Sequence, residues 1–240
     1  MHDLSARVLR AELLDGGQLS DQEVRQTFAD LRRVNRLFGG RRLLLDTLAR
    51  EVSRHGLTQF SVLDVASGSC DLPMAVLDWA RQRKLEAQVF ALEYRHRYLA
   101  LFRNELAGYR KLYPFCADAF RAPVLNQAFD FVTCGHFLHH LSQEQAAKLL
   151  SSMSGWARYA VIVADLERHW LPYYFFRLFS RFFTTSRVSR MDGLISLEQA
   201  FRSEELARTA ERARLVRYTV ERHWPFQLLL VSEISPAEKS

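Results

Sequence analysis

The chain is poor in lysine, cysteine and long apolar runs, and each shortage removes a class of function. Of 33 basic residues only four are lysines, Lys84, Lys111, Lys148 and Lys239, so the net charge of +6 comes almost wholly from arginine. Those arginines are spread over the whole chain, which excludes a dedicated basic tail for nucleic acid and leaves an anionic substrate or carrier open. The three cysteines, Cys70, Cys116 and Cys134, have no CxxC spacing, so a cysteine-based zinc site is excluded. The opening MHDLSARVLRAELL lacks the profile of a secretory signal, and reduced thiols in a cytoplasmic protein are expected. No stretch approaches the roughly 20 apolar residues of a membrane-spanning helix. No GxGxxG follows a strand pattern and no Gly-Lys-Ser/Thr follows a loop, which disfavours NAD and removes a P-loop.

What is present suits one large α/β domain: 240 residues, 48% hydrophobic and 25% charged. The stretch FSVLDVASGSCDLP reads as a strand, Phe60 to Val65, a loop of small residues, and a helix opening at Asp71 to Pro73. Strand, small-residue loop and helix N-terminus form the recurrent nucleotide cradle of doubly wound α/β proteins, because small residues let backbone amides approach a ligand.

This stretch resembles motif I of the class I S-adenosylmethionine (SAM) methyltransferases, an acid at the strand end followed by alternate glycines. Here the positions are Asp64, Ala66, Gly68 and Cys70, and only the middle glycine is kept. Ala66 is a mild change if its φ stays negative, and Cys70 is a larger departure. The second strand, QVFALE, ends at Glu93, 29 positions after Asp64. A carboxylate there can accept both ribose hydroxyls. The resemblance implies that role for Glu93, an adenine-flanking place for Tyr94, and an adenine-amino contact for Asp118 followed by Ala119. The fourth strand, FDFVTC, runs into GHFLHHL, similar to the ubiquinone and menaquinone branch of the family and to bacterial enzymes of secondary metabolism. By that resemblance Gly135 and His136 face the methionine half of SAM.

The flanking segments set the expected architecture. Ser20 and Glu23 form a capping box, and Val24, Phe28, Leu31, Val34 and Phe38 recur at helical spacing. Gly39 and Gly40 end that helix and a second runs from Arg41 to His55, so residues 1–56 read as a helical cap. Asn35, Arg36 and Arg41 of that cap either line an acceptor pocket or form solvated faces. Residues 166–195 read as an insertion after strand five containing WLPYYFFRLFSRFF, with eight aromatics, expected as one amphipathic cover helix. Trp170, Tyr173, Tyr174 and Arg177 are the expected substrate contacts, with an ordinary packing helix or dimer face as the alternative. Ser196 with Gln199 and Ser203 with its acids then read as helix starts, and a terminal hairpin completes the seven-stranded, Rossmann-like sheet.

Three histidines follow strand four. His139, and after it His136, reads as a general base that takes a proton from a hydroxyl, or as a group that satisfies backbone at the strand end. A shared metal shell is not expected, since no carboxylate near them in sequence completes one. The reading is SAM-dependent methylation of a hydrophobic, aromatic or polyketide-like small molecule, at oxygen first and carbon second. A silent SAM-fold binding protein and an RNA methyltransferase are the alternatives; the missing NPPY-type motif speaks against a base methyltransferase. The expected partner is the small-molecule acceptor without nucleic acid, and the aromatic stretch is compatible with contact to a membrane surface or a second copy.

Overall fold

In a computed structural model, residues 3–234 are described. Val62, Leu63 and Val65 of β1 (Gln59–Val65) are fully shielded from solvent. That burial is expected of a strand with parallel neighbours on both edges and helices on both faces. The neighbours are β2 (Glu86–Glu93) and β4 (Phe129–Gly135), with β3 (Leu112–Cys116) outside β2 and β5 (Ala157–Leu166) outside β4. The hairpin of β6 (Arg217–His223) and β7 (Gln227–Glu233) completes the sheet, with β7 antiparallel to β5, in the order β3-β2-β1-β4-β5-β7-β6. The strand order reverses between β1 and β4, and in such sheets ligands bind in the crevice beyond the carboxyl ends of the strands at that point.

The period-two alternation of the strands divides the core. Val62, Phe131 and Ile162 pack on one face, with α1 (Asp21–Leu37), α2 (Gly40–Arg54), α3 (Asp71–Gln82) and α4 (His96–Leu106). Leu63, Val132 and Val161 pack on the other, with α5 (Gln143–Trp156) and α8 (Ser203–Arg212). The capping boxes read from sequence form: Ser20 N–H donates to Glu23 at 2.8 Å and Ser142 N–H donates to Gln145 at 2.9 Å.

Three expectations need correction. The cap helices begin only at Asp21; before them the chain runs without regular structure apart from a 3₁₀ turn at Leu14–Gly16. The insertion is two helices rather than one, α6 (Trp170–Phe179) and α7 (Arg187–Gln199), separated by a 3₁₀ turn and a short loop. Ser196 is not a helix start: it lies inside α7, its hydroxyl 2.9 Å from the carbonyl of Asp192 one turn earlier. Ser203 is the first residue of α8 and Arg202 holds the cap position.

Buried acids pin the insertion from two sides. Asp30 of α1, fully buried, accepts from the backbone N–H of Thr185 and Ser186 at 2.9 and 2.8 Å. Asp192 of α7 accepts from the N–H of Leu13 and Leu14 at 2.8 and 3.0 Å, which binds the N-terminal segment to the lid. Below them Arg168, almost fully buried, pairs with both carboxylate oxygens of Glu205 at 2.7 and 2.9 Å and donates to the carbonyls of Leu4 and Ala200. The N-terminal segment is thereby laid across the carboxyl ends of the strands.

Candidate active site

The loop after β1 has an unusual backbone. Ala66, Gly68 and Cys70 have φ of 59°, 53° and 58°, so alternate residues are left-handed. These are the positions where the resemblance calls for glycine, and the reason is now physical: only glycine adopts that region without strain. The condition under which Ala66 is a mild change, a negative φ, is not met, and both Ala66 and Cys70 carry strain. At Gly68 a Cβ would also lie 2.9 Å from the ring of Phe28.

Partners on every side hold the loop. Ser67 N–H donates to the carbonyl of Leu92 at 3.1 Å, and the Ser67 hydroxyl donates to the carbonyl of Asp64 at 2.8 Å. Glu93, at the end of β2, accepts from Gly68 N–H through one oxygen and from Arg95 N–H through the other, each at 2.8 Å. A carboxylate has about four acceptor sites, so each oxygen keeps one for a ligand. Burial raises the pKa of Glu93, against the lowering effect of those two N–H groups. From α1, Arg32 donates to the hydroxyl and carbonyl of Ser69 at 3.0 and 3.1 Å.

Asp64 does not reach the cavity. It lies beneath the loop, where Thr133 donates to it at 2.8 Å and burial pushes its pKa up to about 7. Above the loop a cavity of about 900 Å³ opens. Ala66, Gly68, Glu93, Tyr94, Asp118, Ala119, Gly135, His136 and His139 all line it, so the positions read from the family pattern, apart from Asp64 and Cys70, meet at one cavity. Asp118 is shaped by an N–H donated from Phe120 at 2.9 Å.

The lid contributes a different set from the one expected. Leu171, Pro172, Phe175 and Phe176 line the cavity, whereas Trp170, Tyr174 and Arg177 do not. Tyr173 is buried and donates to Glu198 at 3.2 Å. Leu171 with Phe175 and Pro172 with Phe176 are spaced i,i+4 and share one face of α6; that stripe was readable in the sequence, but residues with polar tips were chosen over it. Arg41 and Arg36 are off the wall as well, while Asn35 is on it.

The histidines separate. His136, with φ of 52°, is half-buried at the cavity wall with its Nε2 shielded and unpartnered, and burial lowers its pKa to about 4. His139 donates its backbone N–H to Asp165 at 3.0 Å, and its ring Nδ1 lies 2.6 Å from the other oxygen of that carboxylate. Burial works to lower the His139 pKa, but Asp165 and then Glu12 outweigh it and raise the pKa to about 10. With Nδ1 on Asp165 and Nε2 toward Glu12, that pull favours the charged ring over the free base read from the sequence. Carboxylates do come close to these rings, contrary to expectation. Glu12, His139 and His140 each offer a donor atom within 4.8 Å of the others, a cluster that can hold a metal ion. Asp165 had a readable signal, an acid ending an apolar strand as in β1 and β2. Glu12 and Asp15 had none, because the N-terminal segment has no periodicity.

Residues 62–159 match the family model described as a methyltransferase domain. That segment is similar to a methyltransferase domain. The match begins within β1, takes in the loop after it and ends at the start of β5, and the sheet extends beyond it. A SAM-dependent methyltransferase from Aquifex aeolicus superposes with a TM-score of 0.62 at 14% identity, covering 91% of this chain and 100% of that one. The magnesium protoporphyrin IX methyltransferase of Synechocystis, with bound SAH, gives 0.59 at 14% identity over 87% of this chain and 94% of that one. An O-methyltransferase family 2 protein from Planctomyces limnophilus, complexed with apigenin, gives 0.62 at 16% identity over 92% of this chain and 64% of that one. At such identities the likeness concerns the domain's fold. Among curated proteins no match is found. No helix of the described residues is long and apolar enough to cross a membrane.

Proposed function

We infer that the domain binds SAM across the Gly68 turn and transfers its methyl group to a hydroxyl oxygen of a hydrophobic, aromatic small molecule. The observation that carries the reading is one cavity bounded by the Glu93 and Asp118 carboxylates and by the apolar face of α6. Its volume lies within the roughly 300–1,000 Å³ of small-molecule sites. Glu93 keeps free acceptor positions for ribose hydroxyls, and the left-handed loop brings backbone toward the cofactor. Leu171, Pro172, Phe175 and Phe176, with Phe38 opposite, give the acceptor an apolar enclosure. Two structural neighbours support it: one is crystallised with SAH and another holds apigenin.

Transfer from a sulfonium is an in-line displacement. The acceptor oxygen forms a bond to the methyl carbon as the carbon–sulfur bond breaks, its electron pair goes to sulfur, and the acceptor's proton leaves. The chain's task is to align donor and acceptor and exclude water. Incubation with methyl-labelled SAM and a panel of hydroxylated aromatic compounds tests this. Label in the organic phase with equal release of SAH is expected. SAM binding without transfer to any hydroxylated aromatic, or transfer to RNA instead, would contradict the acceptor assignment.

A further inference from the structure

Glu12, His139 and His140 meet at the cavity wall at separations wider than hydrogen bonds. The Nε2 atoms of His139 and His140 each lie 3.8 Å from Glu12 Oε1. That is too long for a hydrogen bond, yet near the about 3.4 Å between two donors of a tetrahedral ion with bonds of about 2.1 Å. Both imidazoles are also held from behind, His139 Nδ1 by Asp165 at 2.6 Å and His140 Nδ1 by Asp15 at 3.2 Å, while Glu12 is fixed through Oε1 itself, which accepts from Ser196 at 2.5 Å and Gln199 at 3.3 Å. Carboxylate partners behind ligating imidazoles keep the proton on Nδ1, a recurrent outer shell of metal sites, and a cation would displace the Nε2 proton that the same carboxylates favour on metal-free His139. Three carboxylates, Glu12, Asp15 and Asp165, surround the two imidazoles, with Arg95 pairing with Asp15 at 3.6 Å.

We propose that Glu12, His139 Nε2 and His140 Nε2 bind one divalent first-row transition cation, zinc-like in its preference for two histidines and a carboxylate. Three protein ligands leave a fourth position, and all three residues border the cavity. Resting on the methyl-transfer reading, an acceptor hydroxyl in that position would lose its proton to solvent at lower pH, and the resulting oxyanion would attack the methyl carbon. This gives the acceptor's proton a route that does not require His139 as a base. The binding site itself stands on geometry alone, whatever the cavity holds.

The test is titration of the metal-free full chain with Co²⁺, followed through its visible absorption, with Zn²⁺ as competitor. One equivalent of Co²⁺ is expected to bind with tetrahedral bands that Zn²⁺ abolishes. Glu12→Gln, and His140→Ala at the partly exposed ring, should each weaken binding by more than about tenfold while far-UV circular dichroism is unchanged. Absence of saturable Co²⁺ binding by the wild-type chain, or binding equally tight in both variants, would overturn the site. Titrating SAM into the same samples separates the two claims, since failure of the metal site leaves cofactor binding intact.

Discussion

Replacing Glu93 by alanine probes the cofactor end most sharply. Its two oxygens accept from Gly68 and Arg95 N–H, each at 2.8 Å, and their remaining acceptor positions face the cavity. In the proposed complex those positions take two ribose hydroxyls. A hydrogen bond to a charged group contributes about 1.5–3 kcal/mol, so losing two costs at least about 3 kcal/mol. At about 1.4 kcal/mol per tenfold, SAH affinity should fall on the order of 100-fold. Glu93→Gln is the gentler companion: its amide nitrogen cannot accept, so one of the two N–H donors loses its partner and the loop is destabilised by about 1–3 kcal/mol. Calorimetric titration with SAH gives the first quantity and urea unfolding the second. Affinity within threefold of wild type in Glu93→Ala would show that the carboxylate only braces the loop.

The strained loop makes a prediction of the opposite sign. Ala66→Gly relieves a left-handed alanine and should stabilise the fold by about 1 kcal/mol, less the extra freedom of the unfolded glycine, as a raised urea midpoint; a lowered midpoint would contradict the strain. Arg168→Ala leaves Glu205 and the carbonyls of Leu4 and Ala200 without their donor, and should cost about 3–5 kcal/mol in the same assay; a cost below 1 kcal/mol would refute the buried pair's role. Asp64 is more readily protonated folded than unfolded. Its contribution to stability is therefore full below about pH 4, the usual carboxylate range, and is lost as pH rises to about 7. Against Asp64→Asn, the wild-type chain should lose on the order of 4 kcal/mol between pH 4 and pH 8, and parallel pH profiles would contradict this.

Much of the fold was legible because strong local signals agreed with the tertiary result. The apolar strands, the capping boxes at Ser20 and Ser142 and the terminal hairpin each follow from periodicity and turn chemistry, and they suffice to place Glu93 and Asp118 at neighbouring strand ends. What was not legible depended on long-range packing. Arg32 reaches Ser69 from α1, and Glu12 reaches the histidines from a segment without regular structure, so neither contact leaves a local pattern. The left-handed φ of Ala66 leaves no local sign, because residue type alone favours a negative φ for alanine and the sheet connection overrides it. On the lid, polar tips drew attention to Tyr173 and Tyr174, while the cavity face is the apolar stripe from Leu171 to Phe176.

The most direct measurement is a crystal structure of the chain with SAH. The account predicts the ribose hydroxyls on Glu93, the adenine edge toward Asp118 and the sulfur beneath the α6 face, with the Gly68 turn against the ligand. SAH bound elsewhere, or a cavity in which Glu93 and Asp118 touch only solvent at saturating SAH, would contradict it.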